Sequence, residues 1–300
     1  DSAVKVGTYS ITLDPGLNMQ SSVADSEGSI IDAAANTDVE YTSGVGFKDT
    51  DGGNFVAEQT LTLSGTGSTD VKIAENDSAK TIVANINEVS DKTGISAAAT
   101  TTATIQNLKT DGVVSFNLNG TDVSANVTKI DLTALATSIN DQTSKTGVTA
   151  KLSLDQASIE LTDQTGADLK IQDFNSSAAD TKTNTEVTLE IAGGDSSSAV
   201  TLSAGLEGIN ADSTVVGGNI EFKSSATSFN IKSSVSEENG GLFAADEGTL
   251  QASSLESVNT LDISTVNGAN DAIDIIDGAL ANIDSNRADL GAIQNRFTST

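Results

Sequence analysis

The sequence predicts an α+β protein that is mostly β: small antiparallel sheet modules, each with a short helix, followed by one long C-terminal α-helix. Three observations carry this expectation. Apolar and polar residues alternate in short runs bounded by Gly-, Asn- and Asp-rich turns. A block of the first half recurs at an offset of 53 residues, Ile86-Asn87 returning as Ile139-Asn140. Finally, an apolar series runs to Phe297 with gaps that alternate 3 and 4.

The first 58 residues are the least legible. Val4-Val6 and Ile11-Leu13 read as strands separated at Gly7, and Asp49–Asn54 reads as a loop. The repeat is clearer. Lys92-Thr93-Gly94-Ile95-Ser96-Ala97 matches Lys145-Thr146-Gly147-Val148-Thr149-Ala150. Before each copy lies a helical pattern: Ala79, Ile82, Val83 and Ile86 fall at i, i+3, i+4 and i+7, as do Leu132, Leu135, Ala136 and Ile139. Asp77 or Ser78 is placed to cap the first helix and Asp131 the second. The shared Thr-Gly ends each helical unit, because glycine accepts the left-handed conformation that closes a helix at no steric cost.

After the second copy, Val148, Ala150, Leu152 and Leu154 alternate with polar residues. A turn at Asp155-Gln156, the run Ala157, Ile159, Leu161, a turn at Asp163–Gly166 and then Leu169 and Ile171 follow. This pattern predicts a half-buried antiparallel meander. Further strand signals are Val187-Leu189-Ile191, Val200-Leu202, Ile220-Phe222 and Phe229-Ile231. Aromatic residues make up only 3% of the chain, so Val, Ile, Leu and Ala must build the cores.

The last element reads as one amphipathic helix. Val266, Ala269, Ile273, Ile276, Leu280, Ile283, Arg287, Leu290, Gln294 and Phe297 share a face. Such a stripe needs a partner to leave water. Gly268, Gly278 and Gly291 each weaken the helix by about 1 kcal/mol relative to alanine, so packing rather than local propensity must support it. Arg287 and Arg296 are the only arginines; the lysines spread from Lys5 to Lys232. That shift toward the cation suited to packed interfaces agrees with a boundary near residue 260.

Composition narrows the function classes. A net charge of -27 argues against nucleic acid and anionic membrane surfaces as partners. Without cysteine there is neither a disulfide framework nor a thiolate metal site, and without histidine the commonest general base is missing. No apolar run is long enough for a bilayer-spanning helix, and the start at Asp1 shows no cleavable signal pattern. The chain is expected to stay inside the cell, to leave by another route, or to lack its natural start. The carboxylate pairs Asp49/Asp51, Glu237/Glu238 and Asp284/Asp289 read as solvated surface, because a sugar site wants aromatic platforms and the chain has two tyrosines and no tryptophan. Counted from Asp49, the twelfth residue of the calcium-like loop is Thr60 rather than a bidentate glutamate. No phosphate cradle, Ser/His/Asp set or nucleotide fingerprint occurs, so no catalytic, cofactor-binding or metal residue is assigned.

The C-terminal segment resembles the C-terminal helix of bacterial flagellins. Ser264-Thr265, Ala272-Ile273, Ile276-Asp277, Ala279-Leu280, Ile283 and the run Arg287-Ala288-Asp289-Leu290-Gly291-Ala292-Ile293-Gln294-Asn295-Arg296-Phe297 carry the likeness. The repeats resemble a small motif of flagellin and hook-associated variable regions, Ile-Asn followed by Thr-Gly-Val/Ile. The resemblance implies the domain plan: a variable β region at 1–58 and 179–258, helix-plus-sheet repeats at 59–112 and 113–178, and a stem helix at 259–300. It implies a structural filament subunit, not an enzyme, that polymerises with copies of itself through coiled-coil stem helices. Its outer β domains project from an extracellular flagellum used for motility. Export through the flagellar apparatus and recognition by a host Toll-like receptor through the stem are implied as well; membrane insertion is not. The family's N-terminal helices have no counterpart here, so the chain is expected to be a fragment. A hook-associated junction or cap protein, and a cell-surface adhesin or glycan-binding protein, are the alternatives.

Overall fold

In the computed structural model the structure describes residues 53–180, 182, 185–194, 199–205, 211–224, 229–236, 239–243, 246–252, 272–273, 276 and 287. The described sheets lie in one compact unit, which comprises residues 36–224 and 229–252. Ala272, Ile273, Ile276 and Arg287 belong to the other and are helical. The coarse expectation holds: the described chain is mostly β, its sheets antiparallel. The long C-terminal helix falls almost wholly outside the described residues, as do the expected strands at Val4-Val6 and Ile11-Leu13 and the loop residues 49–52.

The 53-residue offset is a structural repeat. Hairpin β1 (Gln59–Ser64) and β2 (Ser68–Ile73) leads into α1 (Ala79–Asn87), the single turn α2 (Ser90–Thr93) and β3 (Ile95–Gln106). The same series follows as β4 (Gly112–Leu118), β5 (Thr121–Val127), α3 (Thr133–Asn140), α4 (Thr143–Thr146) and β6 (Thr149–Leu152). Helices form where the sequence places them because each has one apolar face to bury: Ala79, Ile82 and Ile86 in α1, Leu135, Ala136 and Ile139 in α3. Ser78 is the N-cap of α1, its hydroxyl accepting from the Thr81 N–H at 3.3 Å. Asp131 sits one residue before the N-cap position of α3 and accepts from the Thr133 N–H at 2.9 Å. Gly94 (φ 69°) and Gly147 (φ 77°) close α2 and α4 in the left-handed conformation.

Beyond the repeat come β7 (Ile159–Asp163), β8 (Leu169–Ser176), β9 (Val187–Gly193), β10 (Ala199–Ala204), β11 (Thr214–Val216), β12 (Asn219–Ser224), β13 (Asn230–Ser233) and β14 (Leu250–Ala252). Two four-stranded sheets share one order, β14-β13-β1-β2 and β11-β8-β4-β5. The third has the order β10-β9-β3-β7-β6, and β12 also pairs with β3. β3 is the spine. Its first half, Ile95–Thr100, pairs with β12; its second half pairs with β7 on one side and β9 on the other. The chain therefore leaves a first lobe along β3, builds a second, and returns to the first with β12.

Each lobe has its own apolar core. One gathers Leu61, Leu63, Ile82, Ile86, Ile95, Ile220, Phe222, Ile231 and Phe243 among others. The rings of Phe222 and Phe243 lie 6.1 Å apart between centroids. The other core runs from Ala103 to Val216 and is larger.

Two details of the expected meander change. β6 stops at Leu152, and Leu154 is fully exposed in the turn Ser153–Ser158, where Ser153 N–H donates to the Ser158 carbonyl at 2.9 Å. The turn takes more residues than the alternation suggests, since Ser153 and Asp155 supply side-chain acceptors that hold it. β8 does not pair with β7; the turn at Gly166 carries the chain into the other sheet, beside β4 and β11. There Leu169 and Ile171 are fully buried, so alternation reports the buried face correctly without reporting the neighbour.

Candidate functional site

The repeated letters have a common geometry. At the end of α1, the Asn87 Nδ2 donates to the Ala97 carbonyl at 2.9 Å and its Oδ1 accepts from the Ala97 N–H at 2.8 Å. At the end of α3, Asn140 makes the same two bonds to Ala150, both at 2.8 Å. An amide side chain has one donor and one acceptor group in the geometry of a peptide, so each asparagine hooks a helix end onto the following strand as a neighbouring strand would. The preceding Ile86 and Ile139 are fully buried and anchor the hook from below.

Thr93 and Thr146 complete the device. Each buried hydroxyl donates to the carbonyl four residues back, Val89 or Gln142, and accepts the N–H two residues on, Ile95 or Val148, at 3.2 Å. The adjacent hairpin tip is tied in as well. Thr66 N–H donates to the Thr93 carbonyl at 2.8 Å, and in the second copy Asn119 Nδ2 donates to the Thr146 carbonyl at 3.1 Å. A Cβ on Gly65 would fall 2.2 Å from the Thr93 oxygen, which is why the tip carries glycine there.

The lobes meet at the turn between β7 and β8. Asp163 is buried, and its Oδ1 accepts from the Thr165 N–H and hydroxyl at 2.7 and 2.6 Å. The Gly166 carbonyl accepts from the Lys80 N–H at 2.8 Å, which satisfies a first-turn donor of α1. The Asp168 carboxylate accepts from Nδ2 of the buried Asn54 at 3.2 Å on both oxygens, and the same nitrogen donates to the Asp77 carbonyl at 2.9 Å. Burial pushes the Asp168 carboxyl above the usual aspartate value, against the opposing effects of the Asn54 hydrogen bond and the Lys170 charge. Asn54 is thus engaged as a structural residue.

Among the described residues no group of three His, Cys, Asp or Glu is placed to hold a metal ion, and no helix is long and apolar enough to cross a membrane. Of the helical stripe, Ile273 and Ile276 are described; they are 59% and 46% exposed. Arg287 is exposed and helical. Val266, Ala269, Leu280, Ile283, Leu290, Gln294 and Phe297 lie outside the described residues, as do Asp49, Asp51, Glu237, Glu238, Asp284 and Asp289. The sequence alone does not reveal the hooks, the hydrogen bonds of the buried threonines or the Asn54–Asp168 contact. The one available signal was that Asn and Thr recur identically at the 53-residue offset.

Residues 60–109, which run from β1 past β3 and include the first hook, match the family model described as the flagellin hook IN motif. The chain is 31% identical over 230 residues to the B-type flagellin of Pseudomonas aeruginosa, an alignment covering 76% of this chain and 45% of that protein. It is 48% identical over 58 residues to flagellin D of Vibrio cholerae, or 19% of this chain and 15% of the relative. Against polar flagellin A of Vibrio parahaemolyticus it is 54% identical over 41 residues, 14% of this chain and 11% of the relative. The chain thus spans less than half the length of these relatives. With the hook motif built into its first repeat and a flagellin aligned over most of its length, the chain belongs to the bacterial flagellins.

Proposed function

We propose that this chain is part of a structural subunit of the bacterial flagellar filament, which polymerises with copies of itself outside the cell and serves motility. The observation that carries the reading is the flagellin hook IN motif at residues 60–109, within a chain that aligns with a flagellin over three quarters of its length. In this reading residues 259–300 contribute a stem helix. Val266, Ala269, Ile273, Ile276, Leu280, Ile283, Leu290 and Phe297 pack against partner helices, while Arg287 and Gln294 fix the register of the seam. The exposure of Ile273 and Ile276 supports that role, since a helix hides such residues only against another surface. The hooked β lobes project outward, and the charge of -27 keeps neighbouring filaments apart. The subunit catalyses no reaction, inserts into no membrane and binds no nucleic acid; export runs through the flagellar apparatus, and a host Toll-like receptor engages the stem.

Assembly of the natural full-length protein tests the reading. Purified subunits alone should form filaments visible by electron microscopy and sedimentable at modest force. Ile276→Asp combined with Leu280→Asp should abolish them without altering the circular dichroism of the β lobes. A wild-type protein that stays monomeric until added to preformed filament ends would instead identify a junction or cap component.

A further inference from the structure

We propose that the turn Asp163–Asp168 is a proton-tightened clasp between the two β lobes, with Asn54 and Asp168 as its acid-sensitive contact. The turn belongs to the second lobe, between β7 and β8, yet its outward groups are spent on the first. Gly166 gives its carbonyl to the Lys80 N–H and packs so closely on β3 that a Cβ would lie 2.3 Å from the Ala99 Cβ. Asp168 takes both its bonds from Asn54, whose Nδ2 is simultaneously fixed by the Asp77 carbonyl of the first lobe.

A half-buried carboxylate is costly unless well paired, and a single amide nitrogen at 3.2 Å from both oxygens is modest pairing. When Asp168 takes up a proton, its remaining carbonyl oxygen still accepts from Asn54 and the cost of burying charge disappears. The other ionisable groups around it do not reverse this. Lys170 favours the charged form only weakly compared with burial. The Asp77 carboxylate is turned to the Ala74 N–H at 2.8 Å, and that of Asp163 to Thr165. Because the folded-state value of Asp168 is raised, its contribution is fully present below the ordinary aspartate value and is lost as pH rises through the raised one.

Amide hydrogen exchange on the full chain tests the clasp. The Lys80 N–H reads contact between the lobes; the Ala97 and Ala150 N–H groups, held by the hooks, read each lobe alone. After correction for intrinsic rates, Lys80 in the wild type should be better protected at about pH 4 than at about pH 7. Asp168→Asn should remove that difference, and Asn54→Ala should speed Lys80 exchange about tenfold while leaving Ala97 and Ala150 unchanged. The proposal fails if Asp168→Asn keeps the wild-type pH dependence, if Asn54→Ala leaves Lys80 unaffected, or if all three amides lose protection together. A direct carbon-13 titration of the Asp168 carboxyl provides the second measurement: titration above the ordinary aspartate value is expected, and titration at or below it overturns the idea.

Discussion

Asn87 holds Ala97 by both its N–H and its carbonyl, at 2.8 and 2.9 Å, so that one side chain replaces a strand at the edge of β3. Because the relationship recurs between Asn140 and Ala150, the two copies give independent tests of one device. Asn140→Ala should cost about 1 kcal/mol in chemical denaturation, since water can reach the freed groups at this exposed site. Asn140→Asp should cost more at neutral pH than at low pH. It keeps the acceptor for the Ala150 N–H but sets a carboxylate against the Ala150 carbonyl, and protonation restores a donor. Equal stability of Asn140→Asp at both pH values would remove the two-point bond from the account.

Gly147 limits the same unit sterically. Its φ of 77° already disfavours a side chain, and a Cβ would stand 2.9 Å from Oδ2 of the buried Asp163. Gly147→Ala should therefore destabilise by about 1–2 kcal/mol from the backbone alone, with an added cost if Asp163 has to shift. The check is a denaturation midpoint that falls at unchanged m-value.

Much of this architecture was legible because the responsible forces are local. α1 and α3 show in the sequence since each buries one face, and Gly94 and Gly147 mark the ends of the single turns α2 and α4 that follow them, since the chain there is left-handed. Strands β9, β10, β12 and β13 show through alternation. Pairing was not legible. Ile220 pairs with Ala99 across more than a hundred residues, and nothing in either segment names the other. Leu169 and Ile171 keep the same alternation whether β8 continues beside β7 or crosses to β4. The roles of Asn87 and Asn140 were equally hidden. Their reach to a strand ten residues on depends on the short helix and left-handed glycine in between, which letters at a spacing do not reveal.

The start of α3 should loosen in acid, opposite in sign to the Asp168 clasp. The Thr133 hydroxyl and N–H together hold the Asp131 carboxyl below its ordinary value, so its contribution is present above the ordinary aspartate value and lost as pH falls through the lowered one. The Thr133 amide resonance should titrate with Asp131 in the wild type and stop titrating in Asp131→Ala. A Thr133 shift that follows pH equally in both proteins would assign the effect to another group.

Leu154 and Leu161 separate alternation from burial. Both continue the apolar rhythm of the segment, but Leu154 is wholly exposed in the turn while Leu161 is wholly buried on β7, between Ala103 of β3 and Ala150 of β6. Leu154→Ser removes no buried surface and leaves the Ser153–Ser158 turn intact, so stability should stay within about 0.5 kcal/mol of wild type. Leu161→Ala deletes most of a fully buried side chain in the larger core and should cost about 2–5 kcal/mol. Thermal or urea unfolding of the two variants side by side is the measurement. Comparable losses would place Leu154 inside the sheet, as the bare sequence pattern suggests, and would require β6 to extend past Leu152.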